Sequence, residues 1–558
     1  MKLALGPVLY LGRADEHAPG AKKSKARLWR FHVALLVQGG DAAAPPVTVE
    51  PVGEDVAVGE ATVAWDFGDV GGGVYWRWTV EAVRGPEDRR VGYVVRAAGA
   101  SVEGLEEERR VDDVCVPALG SLPRIAFFSC NGTEQIEAIR THPDPRALWK
   151  DILRRHQGNQ PGASHLPGYH LLLGGGDQVY ADSLWHKPPL RRYEATPLDA
   201  APTTRLTDEE WREVRRQYVE LYAERWSDPE MRTVMARVPG VFTWDDHDIF
   251  DGWGSHDERR QRPDNYFGQV FGAARDAFHA FLVGGRGDTL RVRGDRPQFL
   301  QAASFVEADR RLDLLVLDLR SGRTPRQVLA PDQWEDVTRW LDGHAAGLGA
   351  AQSHLVVVST IPVVHRRVYR LFSGLDVKGI RDDQLDQWEH PSHRGERAHL
   401  LVTLLRHARR AASQVTILSG DVHVGARGRV VATHPELCPG GRPEGVLHQV
   451  TSSGIINFAP RWYELLLLRL ATDDDRDSPL DGVYTQMLDV TGDEQLLLRR
   501  NWLSVVFDEQ GQDWPSVRMW LKWYTEQGGV EPQVVVEALP PEYRESAAVV
   551  RKRIAAKA

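Results

Sequence analysis

The run Tyr169-His-Leu-Leu-Leu-Gly-Gly-Gly-Asp177-Gln-Val-Tyr180-Ala-Asp182 carries the strongest structural signal in this chain. A short apolar stretch that stops at glycines and an aspartate reads as a buried strand opening into an acidic loop. Glycines without side chains let other groups approach closely there. The pattern recurs in Val241-Phe-Thr-Trp-Asp245-Asp246-His247-Asp248 and in Val415-Thr-Ile-Leu-Ser-Gly-Asp421-Val-His423. Open α/β sheets bind their ligands beyond the carboxyl ends of the strands. Three such strands side by side gather at least four carboxylates and two imidazoles. Like charges that close repel unless cations lie among them. The expectation is a hydrolase holding a cluster of metal ions.

Composition agrees with an ordinary globular protein. The chain has 558 residues, 42% apolar and 26% charged, with a formal net charge of -9. That charge gives no reason to expect non-specific binding to nucleic acid or to anionic membranes. Cys115, Cys130 and Cys438 are odd in number and show no framework spacing, which argues against a disulfide scaffold. The first ten residues, Met1 to Tyr10, contain no long apolar core of a signal peptide. The apolar run Leu465-Leu-Leu-Leu468 is far too short to span a bilayer. These features lead to an expected cytoplasmic location.

Residues 1–118 read as a small all-β sandwich domain. Leu28 to Leu36, Val47 to Val49, Ala61 to Trp65, Val74 to Val80 and Val91 to Val95 are aromatic or β-branched and separated by Gly, Pro and Asp. No ligand or nucleophile constellation lies in them, so the module is expected to bind a partner or to pack on the catalytic part. Pro117-Ala-Leu-Gly-Ser-Leu-Pro123 marks a boundary. From 119 to 460, short apolar strands alternate with helical patterns, the signature of an α/β sheet. Strands are expected at Ile125–Phe128, Tyr169–Leu173, Val241–Trp244, Leu312–Leu319, Leu355–Ser359, Val415–Leu418 and Leu447–Thr451. Thr207-Asp-Glu-Glu210 is a capping box that starts a helix with a stripe from Trp211 to Trp226. Further helices are expected over Glu134–Arg155, Asp332–His344 and Gly395–Ala412. Residues 461–558 read as an extension packing on the catalytic domain. Within it Asp473-Asp-Asp475 reads as a solvated acidic turn.

Two more strand ends carry chemistry: Ser129-Cys130-Asn131, and Asp318-Leu-Arg320-Ser-Gly-Arg323. Taken singly, Gly-Asp at a strand end is often a turn, and Asp-x-Arg equally serves as a structural ion pair. Taken together, Gly-Asp-Gln-Val-Tyr-Ala-Asp, Trp-Asp-Asp-His-Asp and Ser-Gly-Asp-Val-His resemble the blocks of the PhoD-like alkaline phosphatases, within the calcineurin-like metallophosphoesterase superfamily. The resemblance covers roughly residues 120 to 455.

That resemblance implies a four-layer α/β/β/α sandwich and a centre of two or more metal ions. It implies Asp177 as the carboxylate shared between metals, Tyr180 as a phenolate ligand and Cys130 as a thiolate ligand of ferric iron. Asp246, Asp421 and His423 complete the implied ligands, and His247 is the implied proton donor to the leaving group. Fe3+ with Ca2+ is the expected pair; Zn2+, Mn2+ and Mg2+ are alternatives. Arg320 is the candidate for a bidentate grip on a phosphate oxygen. The implied substrate is a phosphate monoester or diester. Two rivals stand beside this: a phosphodiesterase for nucleotides, lipids or polymers, and a non-catalytic, metal-stabilised scaffold.

Overall fold

The computed structural model describes residues 1–12, 28–99, 101–105, 108–134, 136–158, 168–285, 290–293, 296–307, 309–347, 351–366, 385–440, 442–459, 476–507, 516–526, 531–539 and 543–544. Asp473-Asp-Asp475, Leu465-Leu-Leu-Leu468 and the tail beyond Arg544 lie outside the described residues. The chain divides into two compact units. One comprises Met1–Ala126, Gly132–Asp251 and Glu258–Asp288; the other comprises Phe127–Asn131, Gly252–Asp257 and Thr289–Ala558.

In the first unit, apolar strands run in the order Leu171–Gly175, Gly240–Thr243, Lys2–Leu11, Leu28–Gln38, Val74–Val83 and Val56–Asp66. The strand Lys2–Leu11 is the hinge of this order. It pairs antiparallel with its sequence neighbour, Leu9 facing Val33. Its other edge pairs parallel with the strand that precedes the Asp-Asp-His block, Tyr10 facing Gly240. The N-terminal strands therefore share a compact unit, and one sheet, with Leu171–Gly175. Val47–Val52, Arg89–Ala97 and Glu108–Val116 form a separate antiparallel sheet. The helix Asp208–Trp226 buries Val214, Tyr218, Leu221, Tyr222 and Trp226, as its stripe predicts. Tyr222 stacks on Phe281, and Trp226 packs on Phe242.

The second unit is built on a nine-stranded sheet. Arg310–Val316, Gln352–Val358, Ser413–Ser419 and Gly445–Thr451 lie parallel in that order. Such strands are covered on both faces, which is why Leu355-Val-Val-Val358 and Val415-Thr-Ile-Leu418 are apolar without alternation. Pro331–Ala346 and Arg394–Ala411 are its long helices, and Leu341, Leu401 and Leu405 join Val357 and Ile417 in its core. Asn501–Phe507, Arg518–Thr525 and Gln533–Glu537 form an antiparallel run in the same unit. Trp523 donates its indole N–H to the Thr451 carbonyl at 2.9 Å.

The α/β class with large sheets is thus present. One expected helix is broken: Glu134–Arg155 becomes Ile136–Thr141 and Ala147–His156. Pro143 and Pro145 lie between them and lack the backbone N–H a continuing helix needs.

Candidate metal centre

Leu171–Gly175 and Gly240–Thr243 run parallel, Val241 beside Leu173, so their following loops leave from the same end. Those loops hold Asp177, Asp246 and His247. One ligand atom from each lies within 4.8 Å of the others. Asp177 is 1% exposed and Asp246 7%. Burial pushes the Asp177 carboxyl well above the ordinary range, and Asp245, Asp246 and Asp248 add to the rise while His247 opposes it. A buried carboxylate under that pressure is stabilised by a cation. Two buried carboxylates are hard oxygen donors that fit a divalent ion.

Asp248 builds the loops. One of its oxygens accepts the backbone N–H of Val179 at 2.8 Å, and the other accepts those of Gln178 (3.1 Å) and Asp245 (3.0 Å). A single carboxylate thus ties the two strand ends together. Burial lifts its pKa to about 7 against those three donors.

His247 is held by Asp182. Its Nδ1 lies 2.8 Å from one Asp182 oxygen, and the other oxygen accepts the Asp251 N–H at 2.6 Å. Nδ1 therefore carries the proton that Asp182 accepts, and Nε2 is the ring's second working atom. Burial alone would lower the His247 pKa, but Asp182 and Asp246 raise it well above its usual value. The Tyr180 ring stacks on His247 with centroids 4.3 Å apart. Gly132 makes room for that ring, since a Cβ there would sit 2.4 Å from a Tyr180 carbon. Glu134 and Asp251 each place an oxygen within 4.8 Å of a His247 nitrogen.

In the second unit, Cys130, Asp421 and His423 lie around the loop after Gly445–Thr451. Ser453 Oγ is 3.0 Å from Cys130 Sγ and accepts the His423 N–H at 3.1 Å. The Asp421 carbonyl lies 3.7 Å from the same sulfur. The Cys130 carbonyl accepts the N–H groups of Ile456 and Asn457. Asn457 Nδ2 is 3.0 Å from His423 Nε2. Asn501 holds the loop from behind, donating to the Ser453 carbonyl at 2.9 Å.

Cys130, Asp177, Asp421 and His423 all have left-handed backbones, at φ 52°, 54°, 64° and 54°. Among the described residues only Asp55 and Ala412 share this without being glycine. Each such residue costs on the order of 1–3 kcal/mol and persists only where its surroundings enforce it.

Arg320 corrects the expectation placed on it. Its guanidinium is 0% exposed, with both Nη atoms on Asp386 at 2.7 Å and Nη1 also on the Trp253 carbonyl at 2.9 Å. The pair is bidentate and buried, so the expected grip on phosphate gives way to a structural clamp. Asp182, Asp248, Ser453 and Asn457 received no role from sequence reasoning. Ser-Ser-Gly after the strand ending at Thr451 was the available signal for the last two.

Residues 144–373 match the family model described as PhoD related phosphatase. That span includes Asp177, Tyr180, Asp246, His247 and Arg320, while Cys130, Asp421 and His423 lie outside it. An uncharacterized protein of Saccharomyces cerevisiae is 25% identical over 381 residues, which is 56% of this chain and 51% of that protein. The chain thus spans about half the length of this curated relative. The solved structure of PhoD aligns with a TM-score of 0.50 at 13% identity, covering 99% of this chain and 96% of PhoD; this is a likeness of fold. No helix among the described residues is long and apolar enough to cross a membrane. Residues 144–373 thus resemble the PhoD related phosphatase family, and the chain shares the fold of PhoD.

Proposed function

We propose that the protein is a metal-dependent phosphoesterase that hydrolyses phosphate monoesters or diesters, on a four-layer α/β/β/α sandwich. The observation that carries this reading is that buried Asp177 and Asp246 and partly exposed His247 each place one ligand atom within 4.8 Å of the others. Asp177 and Asp246 would hold a divalent ion in the first unit. Tyr180 is proposed to add a phenolate there, the donor that favours Fe3+. Cys130, Asp421 and His423 offer thiolate, carboxylate and imidazole in the second unit, a set that suits Zn2+ or iron, with Ca2+, Mn2+ and Mg2+ as the harder alternatives. Bound cations supply Lewis acidity, activating a water and neutralising charge on the phosphate.

The chain's own residues do the rest. Asp182 fixes the His247 ring and its tautomer through Nδ1. Nε2 is then the atom that gives a proton to the departing oxygen. Asp182 and Asp246 act against burial to raise the His247 pKa, which favours the protonated ring. Tyr180 covers one face of the ring and holds its plane.

The test is turnover of an aryl phosphomonoester and an aryl phosphodiester by the full chain, before and after chelation. Metal-dependent release from either ester supports the proposal, and the faster one names the ester class. Undiminished turnover after complete metal removal overturns it, as does no turnover of either ester by fully metallated protein.

A further inference from the structure

Asp421 follows the strand Ser413–Ser419, and one of its carboxylate oxygens lies 3.1 Å from Gln387 Nε2. The contact fixes which way the amide faces, because the flipped rotamer would set oxygen against oxygen. Gln387 Oε1 is buried and accepts no hydrogen bond from the described residues.

The residues on either side of Gln387 are locked. Asp386 is gripped by both Nη atoms of Arg320 at 2.7 Å and accepts the Ser255 hydroxyl at 3.0 Å. Arg323 reaches the same residue, with Nε 3.2 Å from a carboxylate oxygen and Nη2 on the backbone carbonyl. Gly254 admits Arg323, since a Cβ there would lie 2.3 Å from its Cδ. On the far side, Trp388 is fully buried and donates its indole N–H to Ser359 Oγ at 3.2 Å. The Gln387 carbonyl accepts the His390 N–H and the His393 Nδ1–H, both at 3.1 Å. So much buried polar contact around one short segment gives its single outward amide a fixed direction.

We propose that Gln387 is a positioning residue for the Asp421 carboxylate, with the Arg320–Asp386 pair as the anchor that aims it. This rests on the reading of Asp421 as a cation ligand. A hydrogen bond to a ligating carboxylate fixes its rotation and tunes its strength as a donor, and losing such a partner typically weakens metal binding by about 10- to 100-fold. The role also gives Arg320 of the Asp-x-Arg block a task that it performs through Asp386.

The test strips metal from full-length wild type and from Gln387→Leu, then measures Zn2+ affinity by competition with a chromophoric chelator. Thermal unfolding of the metal-free forms is recorded alongside. The expected result is Zn2+ affinity about 10- to 100-fold weaker in the variant, with metal-free unfolding temperatures closely similar. Gln387→Met, which keeps the length and loses the N–H, replaces the leucine variant if that one does not fold. Equal Zn2+ affinity in wild type and a folded variant overturns the role of Gln387 alone. Wild type that takes up no Zn2+ overturns the metal reading of Asp421, and this proposal with it.

Discussion

At Cys130, Asp177, Asp421 and His423 the backbone takes a conformation that favours glycine, yet each residue carries a side chain with donor chemistry. His247 is the residue whose role separates catalysis from metal storage. Replacing it with Ala is expected to slow hydrolysis of an alkyl phosphate by about 100- to 10,000-fold. An aryl phosphate, whose leaving group needs no proton, is expected to lose much less. Equal losses on both would remove the proton-donor role; steady-state kinetics on the two esters decide it. Asp182→Asn acts through the same ring. Asp182 raises the His247 pKa, so its loss lowers that pKa, and the alkaline limb of the kcat profile moves to lower pH. Arg320→Met removes both guanidinium bonds to buried Asp386 and leaves it only Arg323 and Ser255, and is expected to cost up to about 3–5 kcal/mol of stability, read from denaturant midpoints. The joint recurrence of acid and imidazole at apolar strand ends pointed to Asp177, Asp246 and His247, and the fold places one ligand atom from each within 4.8 Å of the others. Arg320 misled because Asp-x-Arg in sequence does not say which carboxylate the arginine meets, and Asp386 is 66 residues away.

Among the elements, the long helix and the parallel strands were legible for local reasons. Thr207 and Glu210 form the expected capping box, with the Thr207 N–H donated to Glu210 Oε2 at 2.9 Å and the Glu210 N–H to Thr207 Oγ1 at 3.3 Å. Thr207→Ala is expected to destabilise the fold by about 1 kcal/mol, read from denaturant midpoints. No change would mean the cap is redundant. Ser413–Ser419 and Gln352–Val358 were foretold by unbroken apolar runs. The place of Lys2–Leu11 was not legible. Nothing in its periodicity says that it pairs with Gly240, because pairing across so long a span is set by tertiary packing.

For the whole molecule, buried neutral histidines set the response to acid. His156 accepts the Tyr169 N–H at Nδ1 and lies 2.7 Å from the Asp113 carbonyl through Nε2, an arrangement that requires the neutral ring. His354, 0% exposed, lies 3.0 Å from the Val517 carbonyl. Burial, chiefly, lowers both pKa values to about 4. The unfolded chain, with histidine near its ordinary value of about 6.5, therefore binds more protons than the folded one between those limits. Stability from these groups is complete above about pH 6.5 and is lost as pH falls toward 4, by about 1.4 kcal/mol per pH unit for each. Unfolding temperature should drop across this range, and His354→Gln should flatten the slope. A slope unchanged in that variant would contradict the assignment.

Metal content and phosphoester turnover of the full chain, compared between wild type and Asp177→Asn, test the central claim most directly. Wild type is expected to retain metal and hydrolyse a phosphate ester. The variant is expected to lose metal and turnover together, keeping its fold by circular dichroism. A folded Asp177→Asn protein that binds metal and turns over ester like wild type would contradict the claim.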